Sequence, residues 1–112
     1  MTDHSRAVTK HYLPAENAVE NDDAMYDIAL REYNYFENEE VPFGPHPDRD
    51  SKGRMKGDID VGLVDIENEV LYVKEVKTSY GDLSKADRQL DRVEQHFGER
   101  GWDVIKNKVL ER

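Results

Sequence analysis

The stretch GDIDVGLVDIENEVLYVKEVKTS, residues 57–79, decides the fold. Residues 58–66 and 69–78 are both rich in valine, isoleucine and leucine, which favours two β-strands. Glu67 and Asn68 between them predict a tight hairpin turn, since asparagine tolerates a positive φ. Apolar residues occupy both alternating faces of each strand, so we expect other elements to cover the hairpin on both sides. Charged side chains inside such a hairpin are costly.

Four charged residues nevertheless stand at the end of the hairpin opposite the turn. Asp58 and Asp60 lie in the first strand, and Glu75 and Lys77 lie in the second. Because side chains alternate along a strand, each pair points to one side and the charges can converge. Close carboxylates repel one another unless a cation lies between them. These oxygen ligands suit Mg²⁺, with Mn²⁺ as a substitute, and a lysine beside the ion could act on an attacking water or on phosphate charge.

The rest of the chain supplies elements that would cover this hairpin. Helices are predicted over 16–36 and 82–98, where apolar residues recur at helical spacing. Residues 102–110 alternate well enough for a closing strand. Proline and glycine residues between positions 38 and 57 predict a long loop with a short strand at 41–43.

Length and composition indicate one domain. The 112 residues allow one core, and we expect a flexible lead-in over 1–14 followed by a single domain over 15–112. The absence of cysteine fits the cytoplasm, and no apolar stretch is long enough for a membrane span or a signal peptide. No paired spacing indicates a zinc site, so His4, His11 and His46 are expected to be loop residues without a role.

The strings GDIDV and YVKEVKTS resemble the core of the PD-(D/E)XK nuclease superfamily, in its RecB-like and Holliday-junction-resolvase-like branches. The resemblance covers about residues 20–110. It implies an α/β fold, a single-domain restriction-endonuclease-like αβββαβ core with a central mixed β-sheet flanked by helices. It also implies Asp60, Glu75 and Lys77 as the catalytic residues. Asp60 and Glu75 would be metal ligands, with the Val76 carbonyl as a third.

Two more residues are expected beside the site. Asp58 is interpreted as a strand-edge acid that lies near the ion or the substrate without binding the metal. Gln89 matches a glutamine that RecB-like members carry in the helix after the Glu-X-Lys, although Val93 stands where those members have a tyrosine. An isolated Glu-X-Lys is usually a solvated pair of little energetic value, so the interpretation depends on its combination with GDIDV and the following helix.

The net charge of −9 opposes DNA binding by the protein as a whole, since a phosphate backbone attracts basic surfaces. The acids concentrate in the first third of the chain, however, and adaptation to high salt also produces an acid-rich surface. A loop and one flank of the second predicted helix are locally basic, and we expect them to contact DNA unless the flank is an ordinary exposed face. Their residues are Arg49, Lys52, Arg54, Lys56, Lys85, Arg88 and Arg92. A homodimer would join two such small faces.

Two functions remain open. The resemblance implies a Mg²⁺-dependent deoxyribonuclease, an endonuclease in preference to an exonuclease, that hydrolyses phosphodiester bonds with a metal-activated water. The alternative is a catalytically inactive module with the same fold, which binds nucleic acid or a protein partner. The small size and the acidic surface favour the alternative, and a fold by itself does not choose between them.

Overall fold

The computed structural model describes residues 3–20, 26–38, 43 and 53–111. Within these residues the helices and strands follow the order αβββαβ. They are α1 (Asp3–Glu20), β1 (Ile28–Phe36), β2 (Met55–Asp65), β3 (Val70–Lys77), α2 (Leu83–Gly98) and β4 (Asp103–Leu110), with a 3₁₀ turn at Tyr80–Asp82 before α2. The predicted fold class, a single α/β domain with a mixed sheet and flanking helices, is confirmed.

The strands form one mixed sheet in the order β1-β2-β3-β4. β2 is antiparallel to both β1 and β3, whereas β4 runs parallel to β3, and α2 provides the crossover that a parallel neighbour needs. The predicted β2–β3 hairpin is confirmed, but the positive φ, 53°, falls at Glu69 rather than at Asn68. Asn68 instead holds the turn through its main-chain and side-chain nitrogens, which donate to Asp65 at 3.2 and 2.8 Å.

Both faces of the sheet are covered, as the hairpin pattern predicted. On one face α2 packs its apolar side on β1, β2 and β3; its core residues there are Leu90, Val93 and Phe97. On the other face Ala7 and Val8 of α1 pack against β2 and β3. Burying a valine, leucine or phenylalanine contributes about 1.5–3 kcal/mol relative to leaving it exposed. The two helical layers therefore hold the hairpin in place.

The amino-terminal segment differs from the prediction. Residues 3–14 were expected within a flexible lead-in, but they are the first part of α1. Ala7 and Val8 are buried against the sheet, and this tertiary contact stabilises a helix that would be marginal alone. Pro14 lies inside α1 rather than in its first turn, which removes one main-chain hydrogen bond from the helix. The folded unit thus includes residues 3–14.

The second difference is β1. The sequence predicted one helix over 16–36, whereas α1 ends at Glu20 and β1 begins at Ile28. Residues 28–36 pair with β2 instead of forming a helix. Their apolar residues recur at helical spacing, but the aromatic residues among them also favour a strand. The short strand predicted over 41–43 lies outside the described residues except for Phe43, which is in a turn. β1 therefore takes the place of the first strand in the αβββαβ order.

The carboxy-terminal half follows the prediction closely. The structure confirms α2 and β4 to within one residue of the predicted limits. Ser79 caps the 3₁₀ turn before α2 by accepting a hydrogen bond of 3.2 Å from the Gly81 nitrogen. Within the described residues, neither helix carries a stretch long and apolar enough to cross a lipid bilayer.

Candidate active site

The candidate site lies where β2 and β3 separate. Their pairing stops at Val61↔Lys74, although both strands continue beyond this pair. β3 stays paired with β4 as far as Lys77↔Leu110. The edge of β3 that faces β2 is therefore open from Glu75 onward. We call the separated strand ends beyond Val61↔Lys74 the fork.

Asp60 occupies an irregular position of β2 at the fork. It is only 2% exposed, and its Oδ2 accepts a hydrogen bond of 2.9 Å from the main-chain nitrogen of Val76. The side chain thus replaces the main-chain acceptor that β2 no longer offers to β3. The pairing of β1 with β2 also omits Asp60, where Glu32, nominally opposite, has a φ of 46°. Ile59 and Val61 consequently join the cores on opposite faces, although they are two residues apart in one strand.

Glu75 shares the fork with Asp60 and is also 2% exposed. Burial, followed by the charge of Asp60 and a hydrogen bond to it, raises the pKa of Glu75 to about 9. The protonated form of Glu75 is therefore favoured at neutral pH, and its hydroxyl donates a hydrogen bond to Asp60. A shared proton is the usual solution for two close acids that have no cation between them. The structure thus brings together the two side chains that the sequence predicted as metal ligands.

Lys77 and Asp58 complete the group of charges at the fork. Burial, then the charge of Asp60, raises the pKa of Asp58, while Lys77 and His4 act to lower it. Lys77 also acts to lower the pKa of Glu75. In the described part of the chain, the Lys77 ammonium forms no ion pair or hydrogen bond. The four charged residues predicted at this end of the hairpin therefore lie close enough to influence one another, with the lysine free to act on a bound anion.

His4 belongs to this site, although no local sequence pattern indicates it. It stands in the first turn of α1, where its Nε2 donates a hydrogen bond of 3.0 Å to the Val76 carbonyl and lies 3.4 Å from Asp60 Oδ2. The expectation that His4 is a loop residue is wrong, because it belongs to α1, which places it at the fork. His11 also lies on α1 rather than in a loop, and His46 lies outside the described residues.

The oxygen atoms at the fork fit a hard divalent cation in type. Asp60, Glu75 and the Val76 carbonyl are all oxygen donors, and the carbonyl keeps a second lone pair beside its bond to His4. Mg²⁺ commonly binds one or two carboxylates and retains several waters. Among the described residues, however, no group of three or more His, Cys, Asp or Glu side chains is arranged to hold a metal ion. The donor set therefore suits Mg²⁺ only if the shared proton leaves.

Tyr35 of β1 closes one side of the fork and was hidden from the sequence because its segment was assigned to a helix. It is opposite Gly57 in the β1–β2 pairing, and a Cβ atom at position 57 would lie 2.5 Å from the Tyr35 hydroxyl oxygen. Burial raises the pKa of Tyr35 to about 12, Arg92 acts to lower it, and Asp58 and Glu75 act to raise it. The hydroxyl therefore lies between the acids of the fork and a cation of α2.

The residues predicted to contact DNA are partly brought together. Arg49 and Lys52 lie outside the described residues. Arg54, Lys56, Lys85, Arg88 and Arg92 are all exposed. Lys85 is paired with Asp82 at 3.3 Å. Gln89 is partly buried on α2, and its Oε1 has no hydrogen-bond partner among the described residues, but no contact joins it to the fork.

Comparison of this chain with protein-family models, with curated proteins and with solved structures found no match. What the structure defines is a class: an αβββαβ domain with two buried acids that share a proton where its central hairpin opens.

Proposed function

We propose that the chain is a Mg²⁺-dependent deoxyribonuclease of the PD-(D/E)XK superfamily, an endonuclease in preference to an exonuclease. The observation that supports this most is the buried pair of Asp60 and Glu75 at the fork, with Lys77 beside it. Two acids held together without a cation destabilise the fold, and strongly shifted pKa values of this kind are typical of functional sites. The pairing of β2 with β3 also ends at the fork, where Asp58 and Lys77 are partly exposed, so a substrate phosphate could approach from their side.

Asp60 and Glu75 would hold the ion, with the Val76 carbonyl as a third oxygen donor. Asp60 is already fixed by the main-chain nitrogen of Val76, and Glu75 becomes a ligand once its proton leaves. When bound, Mg²⁺ would lower the pKa of a water molecule and offset negative charge on the phosphate. His4 would remain on the Val76 carbonyl and keep α1 against the fork.

Lys77 would act on the reaction directly. Its ammonium can donate hydrogen bonds to the attacking water and to a non-bridging phosphate oxygen, which orients the first and stabilises charge on the second. The water oxygen would form a bond to phosphorus while the bond from phosphorus to one bridging oxygen breaks; the attacking water would lose a proton to solvent, and the released oxygen would take one up from solvent. Asp58 near Lys77 would hold that ammonium in place by charge.

Cleavage of supercoiled plasmid and of labelled oligonucleotides tests this function. We expect cutting with Mg²⁺ or Mn²⁺, none with a chelator, and a loss of at least ~10³-fold in rate for Glu75→Gln, which cannot become an anionic ligand. Asp65→Asn is the matched control, because Asp65 is a buried acid of β2 that binds Asn68 at the turn. Cutting by Glu75→Gln at the wild-type rate would contradict the proposal.

A second candidate is an inactive module of the same fold that binds nucleic acid or a protein partner. It is favoured by the lack, among the described residues, of three side chains arranged around a metal position, and by the proton that Glu75 retains. If the protein binds DNA but never cuts it with any divalent ion, this candidate is the better one.

The partner, the oligomeric state and the location of the protein are also proposed. We propose that its partner is DNA, contacted by the exposed cations of β2 and α2, and that a homodimer enlarges this basic face. We propose the cytoplasm as its location, since the chain lacks cysteine.

A further inference from the structure

Four of the lysines that the structure describes are paired with acids. The pairs are Lys10–Glu111, Lys85–Asp82, Lys106–Asp91 and Lys108–Asp87, with separations of 2.8–3.3 Å. Lys56 and Arg92 differ, because their side chains form no ion pair or hydrogen bond with any described residue. In a chain with a net charge of −9, cations without an acid partner, such as Lys56 and Arg92, are available to an external anion.

These two cations line the same cleft. It has a volume of about 350 Å³ and lies between the start of β2 and the middle of α2. Its lining consists of Tyr35, Lys56, Arg92, Gln95, His96 and Glu99. Burial, then the charge of Arg100, lowers the pKa of His96 to about 4, so His96 is neutral at pH 7. Among the described residues that line the cleft, the positive charge therefore comes from Lys56 and Arg92 and is opposed by Glu99.

The cleft adjoins the fork. Tyr35 belongs to its lining, and the charges of Asp58 and Glu75 at the fork act to raise the pKa of the same residue. Lys56 is two residues before Asp58 on β2. A polymer that places one phosphate at the fork could therefore place the next one in the cleft.

We propose that this cleft binds a phosphate group of the substrate strand, next to the phosphate that is cut at the fork; the inference rests on the proposed nuclease function. Arginine and lysine together are the side chains that bind phosphate most readily, one as a planar fork of donors and the other as a point charge. A volume of about 350 Å³ is near the lower end for ligand pockets, ~300–1,000 Å³, so it accepts one nucleotide but not a duplex. The phosphate could be internal or terminal, and both share this chemistry.

A charge-matched pair of double variants tests the proposal. Lys56→Ala/Arg92→Ala and Lys106→Ala/Lys108→Ala each remove two positive charges, but Lys106 and Lys108 are already paired with acids. Affinity for a short single-stranded oligonucleotide is measured across a salt series with Ca²⁺ in place of Mg²⁺. We expect at least tenfold weaker binding at low salt for Lys56→Ala/Arg92→Ala, and a slope of log affinity against log salt that is shallower by about 0.7, because one phosphate contact on a single strand is lost. The control should keep its slope.

Oligonucleotides with and without a 5′-phosphate separate the two sources of the phosphate. Equal losses on both identify an internal phosphate, whereas a loss only on the phosphorylated strand identifies a terminal one; either supports the cleft. Equal losses in the two double variants, or none in Lys56→Ala/Arg92→Ala, would overturn it. Because binding is measured without cleavage, a wild type that binds through the cleft but never cuts would refute the proposed function alone. A wild type that cuts, with KM unchanged in Lys56→Ala/Arg92→Ala, would refute the cleft alone.

Discussion

The two ends of the β2–β3 hairpin each bury carboxyl groups, but they satisfy them differently. At the turn, Asp65 accepts hydrogen bonds from the main-chain and side-chain nitrogens of Asn68, at 3.2 and 2.8 Å. At the fork, Asp60 accepts one main-chain bond, of 2.9 Å, lies 3.4 Å from His4 Nε2 and also faces the carboxyl group of Glu75.

This difference separates a structural acid from one that awaits a ligand. A buried carboxylate is stable where N–H donors surround it, as they do in the turn. At the fork, Asp60 faces a second acid, Glu75, in the place where Asp65 at the turn has N–H donors. Two such acids can lie together only if a proton or a cation lies between them. Stability is thus lost at the end of the hairpin that the strands leave open.

The largest expected effect comes from removing the cation of the fork. Lys77→Ala should lower the single-turnover rate of DNA cleavage by ~10²–10⁴-fold, because the group that orients the water and stabilises phosphate charge is gone. DNA affinity should change little. Lys74→Ala is the control on the same strand, since Lys74 lies beside His11 of α1, 3.5 Å from its Nδ1, and not at the fork. Equal rates for Lys77→Ala and wild type would remove Lys77 from the mechanism.

A smaller effect is expected from a methyl group at the side of the fork. Gly57→Ala would place a Cβ atom 2.5 Å from the Tyr35 hydroxyl oxygen, and the buried ring must move. Such overpacking typically costs about 1–3 kcal/mol of unfolding free energy, which urea denaturation measures. Gly98→Ala is the control, because a Cβ atom there meets no atom within 4 Å. A Gly57→Ala protein as stable as Gly98→Ala would show that the ring is not held against β2.

The smallest effect concerns pH and stability without metal. The folded pKa of Glu75, about 9, lies above its ordinary value of 4.5, so the folded state holds a proton that the unfolded chain releases. The stabilisation is complete below pH 4.5 and is lost as the pH rises toward 9. Between pH 7 and 9 we expect wild type to lose about 2 kcal/mol, since one pH unit corresponds to at most ~1.4 kcal/mol and the dependence weakens as the pH reaches the folded pKa.

Urea denaturation at several pH values measures this loss. Glu75→Gln should be nearly insensitive over the same range, because its amide has no proton to lose. Asp65→Asn, which changes the turn and leaves the fork intact, should keep the wild-type dependence. A wild type as stable at pH 9 as at pH 7 would mean that Glu75 holds no extra proton.

The hairpin and the identity of its charged residues could be predicted from the sequence, for a physical reason. Valine-rich alternation and a turn are local patterns, and the spacing of Asp60, Glu75 and Lys77 follows from strand geometry. The sequence patterns that predict α2 and β4 are local in the same way. The placement of Asp60 and Glu75 in one site needed no information from elsewhere in the chain.

The predictions that were wrong concern elements whose structure depends on contacts between distant segments of the chain. β1 has apolar residues at a spacing that suits a helix as well as a strand, and only its pairing with β2 decides between them. α1 is stabilised by Ala7 and Val8 against the sheet, so His4 reaches the fork through tertiary packing that no local pattern records. The irregularity at Asp60, where strand alternation breaks, was likewise invisible. Whether the site binds metal or cuts DNA stays a prediction.

The most direct test of the central claim is the exchange of a proton for a metal ion at the fork. Isothermal titration with Mn²⁺ at pH 7.5, in two buffers of different ionisation enthalpy, gives the number of protons released per ion bound. We expect close to one proton per ion in wild type, because Glu75 must lose its proton to become a ligand, and no binding at this site in Glu75→Gln. Mn²⁺ that binds wild type without proton release, or that binds Glu75→Gln with unchanged affinity, would contradict it.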